Sequence, residues 1–145
     1  MATQRKASAT WEGGLVDGKG SATLESSGIG SFDVSWPARS EQPGGLTSPE
    51  ELVAAAHATC YAMALSHEIG QAGGTPQRLD TSATVTFGPV EGGFAVTNID
   101  LTVRGQVEGM DEQSFLDAAN AAKDGCPISK LFKGNTDITL DAALA

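Results

Sequence analysis

Short alternations of polar and apolar residues open the chain, at residues 7–11, 21–25 and 32–36, with Gly13-Gly14, Asp17-Gly18 and Gly28–Gly30 around them. Period-two alternation between glycine-bearing turns predicts three short strands, and Asp-Gly between two of them is a hairpin signal. Residues 38–46, ARSEQPGGL, carry Pro43 and two glycines and read as a loop. The period then changes. Ser48 offers an N-cap, Pro49 suits the first helical position and Glu51 completes a Ser-x-x-Glu capping box. The run TSPEELVAAAHATCYAMALSHEIG therefore predicts a helix of about twenty residues, ended by Gly70, Gly73 and Gly74. Leu52, Ala56, Cys60, Met63 and His67 share one face of it. The opposite side, with Val53, Ala55, Ala58, Ala62 and Leu65, is also poor in charge, which predicts a helix buried centrally.

Two stronger strands follow Pro76, at residues 81–87 and 94–107, with Pro89 and Gly92-Gly93 between them. Val85 and Phe87 on one, and Ile99, Leu101 and Val103 on the other, mark a single buried face. Asp111 caps a second helix from Glu112 to about Lys123, with Phe115, Ala118, Ala119 and Ala122 directed inward and Gly125 as its stop. Cys126-Pro127 starts a short third helix, and residues 136–140 read as a last strand. No repeat, low-complexity tract or linker interrupts the pattern, so the chain reads as one α+β domain over residues 1–145.

Charge narrows the partners. Nine Lys and Arg against 18 Asp and Glu leave a net −9 over 145 residues. A surface of that sign repels phosphate backbones and anionic lipid, so neither nucleic acid nor membrane is an expected partner. The first residues have no apolar leader core, and no apolar run nears the ~18 residues that span a bilayer, so a cytoplasmic protein is expected. Two cysteines in a reducing compartment are reduced or cycling rather than a permanent staple.

Those cysteines are the candidate chemistry. Cys60 sits about twelve residues into its helix, beyond reach of the N-terminal dipole, among alanines and Met63. Burial there raises a thiol's pKa, so Cys60 is a small core residue unless a cation is brought to it. Cys126 stands at an N-cap position, where free N–H groups favour a thiolate, and local physics makes it the more acidic thiol. His57, one turn before Cys60, is either a base or a core histidine, and packing is the expectation for both His57 and His67. The spacing of His57, Cys60 and His67 has no zinc-site character, and residues 28–30 are no phosphate loop. Neither a metal nor a cofactor is expected.

The stretches TSPEELVAAAHATCYAMALS and GCPISKLF, with the opening WEGGLVDGKG, resemble the OsmC/Ohr family of organic hydroperoxide reductases, its OsmC branch in particular. The resemblance runs nearly end to end. It implies six-stranded antiparallel sheets wrapped around two long central helices in an intertwined homodimer, with the active site at the interface. It also implies that Cys60 attacks an organic hydroperoxide, that Cys126 resolves the sulfenic acid as a disulfide, and that an Arg39–Glu50 pair holds the thiolate. Arg39 is the one basic residue in the segment where that branch carries its arginine. The reductant implied is a dithiol of lipoyl type.

Glu50 and Cys60 are ten residues apart, ~15 Å along a straight helix and on different sides of it. Either the helix breaks between them, or Glu50 and Arg39 serve the partner's thiol. Residues 53–59 contain no Pro or Gly to break it, so the second is expected. The apolar residues Met63, Leu65, Ile128, Leu131 and Phe132 would favour a bulky organic peroxide. Two rival readings use the same residues: a redox sensor that signals through the Cys60–Cys126 disulfide, and a stress-induced binding protein with inert thiols.

Overall fold

A computed structural model of the chain describes all 145 residues. Its elements run β1 (Ser8–Glu12), β2 (Lys19–Thr23), β3 (Ser31–Val34), α1 (Trp36–Ser40), α2 (Pro49–Gln71), β4 (Thr75–Val90), β5 (Gly93–Glu108), α3 (Glu112–Gly125), α4 (Pro127–Phe132) and β6 (Asp137–Leu144). The class is α+β. The chain divides into two compact units, Met1–Leu52 and Val53–Ala145.

In the first unit β1, β2 and β3 form an antiparallel sheet in chain order. The Asp-Gly signal marks a wider turn than a two-residue hairpin, closed by Gly18 N–H donating to the Gly14 carbonyl at 2.9 Å. The expected loop begins later than residue 38, because Ser35 and Pro37 start a helix. The Ser35 hydroxyl accepts from Ala38 N–H at 3.2 Å and Pro37 stands in the first turn, so Arg39 lies on α1. Ala38 and Glu50 are the buried residues of this unit. Trp11, Leu15, Val16, Ile29 and Phe32 are exposed.

Helix α2 is continuous from Pro49 to Gln71. The Ser48 hydroxyl accepts from Glu51 N–H at 3.2 Å, the first half of the expected capping box. The second half is missing, because the Glu51 carboxylate takes the Thr47 hydroxyl instead. Gly70 lies inside the helix. Gly73, at φ 87°, ends it, and Gly74 N–H closes back onto the Ile69 carbonyl at 3.0 Å.

The buried stripe of α2 is His57, Tyr61, Leu65 and Ile69, one residue on from the face the sequence pattern favours. Ala56, Met63 and His67 are exposed, Met63 at 69%. The reason is the Tyr61 ring, whose hydroxyl donates to the Ala119 carbonyl of α3 at 3.0 Å and so turns that stripe inward. The expected burial of α2 on all sides is therefore not met within one chain.

In the second unit, strands β4 and β5 form a hairpin turning at Glu91-Gly92, and each is 16 residues long. Both outrun their sequence bounds, since Pro89 pairs with Phe94 on an edge strand that tolerates a missing N–H. Strand β6 pairs with β5 in parallel, from Asn98 opposite Asp137 to Gly105 opposite Leu144. This departs from the all-antiparallel expectation. The chain leaves β5 through α3 and α4, and a helical crossover returns it to the same end of the sheet. The core joins Ile99, Leu101 and Val103 of β5 to Phe115, Ala118, Ala119 and Ala122 of α3 and to Tyr61, Leu65 and Ile69 of α2. The α3 residues are the ones its period marks, and Asp111 caps it as expected, accepting from Ser114 N–H at 2.8 Å. No helix is long and apolar enough to cross a membrane.

Candidate functional site

Cys126 is the joint between α3 and α4. Its N–H closes α3 on the Ala122 carbonyl at 2.9 Å, and Pro127 begins α4. Both thiols are free, with Cys60 half-buried and Cys126 fully buried. The Cys126 Sγ donates toward the Cys60 Sγ across 2.9 Å. The two cysteines, 66 residues apart in sequence, thus form one site.

The hydrogen bonding at the start of α4 differs from the expectation drawn from local position. The Cys126 side chain makes no cap bond to α4. A first-turn N–H of that helix, at Ile128, donates instead to the Cys60 sulfur. The helix terminus therefore supports the mid-helix thiol, because Cys126 is turned inward toward α2. Burial raises the Cys60 pKa, the hydrogen bond with Cys126 raises it further, and the Ile128 N–H opposes them. Beside the thiols, burial also raises the pKa of Tyr61, which stays neutral.

His57 is fully buried and faces Ser129 rather than either thiol, with Nε2 to the Ser129 Oγ at 2.8 Å. Its Nδ1 has no hydrogen-bond partner, and its ring lies 5.9 Å from that of Phe132. Burial lowers its pKa, which keeps the imidazole neutral. His57 is thus the core residue expected of it, whereas His67 is exposed and not the packed residue expected. The five apolar flanking residues do not share one wall: Leu65 is in the core while Met63 and Leu131 are 69% and 71% exposed.

The Arg39–Glu50 pair belongs to the first unit. Arg39 Nε donates to both carboxylate oxygens of Glu50, at 3.0 and 3.1 Å, and Nη2 donates to Oε1 at 2.8 Å. Glu50 is 8% exposed and stands in the first turn of α2, where the free N–H groups favour an anion. Beside Arg39 lies an apolar groove of about 320 Å³ lined by Trp11, Leu15, Val34, Trp36 and Pro49. No cluster of three His, Cys, Asp or Glu side chains could hold a metal.

The model of the family described as OsmC-like protein matches residues 42–141. The chain is 42% identical over 144 residues to Peroxiredoxin OsmC of Escherichia coli strain K12, covering 99% of both. The chain belongs to the OsmC-like protein family. The crystal structure of the organic hydroperoxide resistance protein OhrB of Bacillus subtilis matches this OsmC-like chain with a TM-score of 0.75 at 29% identity, over 94% of this chain and 97% of that one. An organic hydroperoxide resistance protein from Elizabethkingia anophelis matches with a TM-score of 0.76 at 26% identity, over the whole of both chains.

Of the four residues the sequence nominates, the OsmC-like fold brings Cys60 to Cys126 and Arg39 to Glu50, each pair within its own unit. The Ile128 N–H carries no residue-type signal and was not legible. The His57–Ser129 contact had one: His57-x-x-Cys60 and Cys126-x-x-Ser129 share a spacing, so helices that meet at the cysteines also meet one turn away. Trp11 and Trp36 sit in segments read as strands and Leu15 in the turn between two of them, and nothing in that pattern assigned them to a groove.

Proposed function

We propose that this OsmC-like protein is a thiol peroxidase that reduces organic hydroperoxides to alcohols, working as a cytoplasmic homodimer. The observation that carries the reading is the approach of the Cys60 and Cys126 sulfurs to 2.9 Å as free thiols. A relative named a peroxiredoxin and structural neighbours named for organic hydroperoxide resistance support the same chemistry.

A thiol whose pKa is raised by burial needs a cation to become a nucleophile. Arg39, held by a bidentate contact with Glu50, is the cation proposed. Helix α2 is unbroken through residues 53–59, so a carboxylate ten residues from the thiol stays ~15 Å up the same axis. The Arg39–Glu50 pair therefore serves Cys60 of a second copy. The Cys60 thiolate attacks the distal peroxide oxygen, the O–O bond breaks, and the alkoxide leaves as alcohol after taking a proton. Cys60 is then a sulfenic acid. The Cys126 thiol attacks that sulfur, water leaves, and a Cys60–Cys126 disulfide remains. A dithiol reductant restores both thiols by exchange. The groove of Trp11, Leu15 and Trp36 beside Arg39 suits an apolar substituent on the peroxide.

The test is consumption of cumene hydroperoxide with dihydrolipoamide, comparing wild type, Cys60→Ser and Cys126→Ser. Many turnovers in wild type, none with Cys60→Ser, and one oxidation without recycling in Cys126→Ser are expected. A wild type that is oxidised once and never turns over would establish the sensor reading instead. Retained turnover in Cys60→Ser would reverse the order of the thiols.

A further inference from the structure

Helix α4 has six residues, far fewer than a helix needs to persist in water by itself. Its place is set by what it docks against, and its N-cap and first turn carry the two groups that meet Cys60. One is the Cys126 sulfur and the other the Ile128 N–H. Along this contact α4 runs antiparallel to α2: Cys126 meets Cys60, and one turn further Ser129 meets His57, one turn back. Phe132, a turn beyond Ser129, lies against the same imidazole. Ser129 is 4% exposed and His57 is fully buried, so water does not compete for their hydrogen bond.

We infer that His57 and Ser129 are positioning residues, whose buried hydrogen bond docks α4 on α2 and so holds Cys126 and the Ile128 N–H at the sulfur of Cys60. His57 performs this as a fixed donor or acceptor at Nε2 and does no proton transfer. Its Nδ1 faces no partner, and no hydrogen bond joins the ring to either thiol. One nitrogen at the place of Nε2 is all the role requires. Glutamine supplies a nitrogen there and nothing at Nδ1, so His57→Gln preserves the device, whereas a base or a titrating switch would be lost with the imidazole. The inference rests on the Cys60–Cys126 pairing proposed above, but its consequence can be read without peroxide.

The measurement is the equilibrium between the protein dithiol with oxidised dithiothreitol and the protein disulfide with reduced dithiothreitol. In this exchange the two protein thiols lose two electrons and two protons to the reagent disulfide. The fraction of Cys60–Cys126 disulfide is read by mass after alkylation, on the full chain. His57→Leu and Ser129→Ala are each expected to lower the equilibrium constant about tenfold, because an undocked α4 must be ordered again before the bond forms. His57→Gln should stay within about twofold of wild type. Ile99→Val, which loosens a core cluster that contains neither cysteine, should not move it although it lowers the unfolding midpoint. Ser129→Ala removes a single oxygen, so it stands in if His57→Leu fails to fold. Wild-type constants in His57→Leu and Ser129→Ala, or a loss in His57→Gln equal to that in His57→Leu, would overturn the inference while leaving the pairing intact. A wild type that forms no internal disulfide in excess oxidised reagent would overturn the pairing and the inference together.

Discussion

At the scale of single residues, a buried thiol has to become an anion before it can react. Burial and the hydrogen bond with Cys126 hold the Cys60 pKa above its ordinary value, and the Ile128 N–H opposes them. A raised pKa means less thiolate at pH 7, so the proposed nucleophile needs a cation, and Arg39, fixed by Glu50, is the one proposed. Removing the guanidinium leaves the burial uncompensated. Arg39→Ala should therefore slow alkylation of Cys60 by iodoacetamide about tenfold at pH 7 and move its midpoint to higher pH. An unchanged pH profile would sever Arg39 from the thiol. Much of this was legible at the level of residue type, because cysteines, an arginine and a glutamate announce themselves and the resemblance ordered them. The Ile128 donor was not, since a backbone N–H has no letter in the sequence. Position alone assigned the helix terminus to Cys126, and only the inward turn of that side chain hands it to Cys60.

Among the elements, the legible ones are those whose local signals agree with their packing. Helix α3 has its Asp111 cap and its alanine face, and both act as their chemistry dictates, whereas the expected stop, Gly125, is its last helical residue and Cys126-Pro127 ends it. Helix α1 was hidden because Pro43 and the glycines after it colour the whole segment as loop, while the deciding signal is the smaller Ser35-Trp36-Pro37. The face of α2 was misjudged by one residue, because in an alanine-rich helix small residues give the period little contrast and the single tyrosine decides. Strand β5 holds a subtler feature. Its inward series Ile99, Leu101, Val103 ends at Gly105, where a Cβ would come within 2.8 Å of the Phe115 ring. Gly105→Ala should thus lower stability by roughly 1–3 kcal/mol, read by urea unfolding, as the ring of α3 is pushed from the sheet. A neutral effect would mean that the Phe115 contact yields without strain.

For the whole molecule, what stays uncovered is informative. The first unit buries only Ala38 and Glu50 and leaves Trp11, Leu15 and Phe32 in water. Helix α2 exposes Ala55, Ala56 and Met63, although the sequence pattern asks for burial all round. Three-stranded sheets and a half-covered apolar helix suit the proposed homodimer, in which a second copy would supply the missing cover. The parallel β5–β6 pair lay beyond the reach of pattern reading, since the direction of a strand is set by the crossover and not by its own alternation.

The central claim is that the Arg39–Glu50 pair of one copy activates Cys60 of another toward a hydroperoxide. Its most direct measurement mixes two chains, each nearly inactive alone: Arg39→Ala, which keeps its thiol, and Cys60→Ser, which keeps its arginine. Unfolded and refolded together in equal amounts, they are predicted to regain about a quarter of wild-type peroxide turnover, since half of the dimers then hold one intact site. A mixture as inactive as its components would contradict the claim.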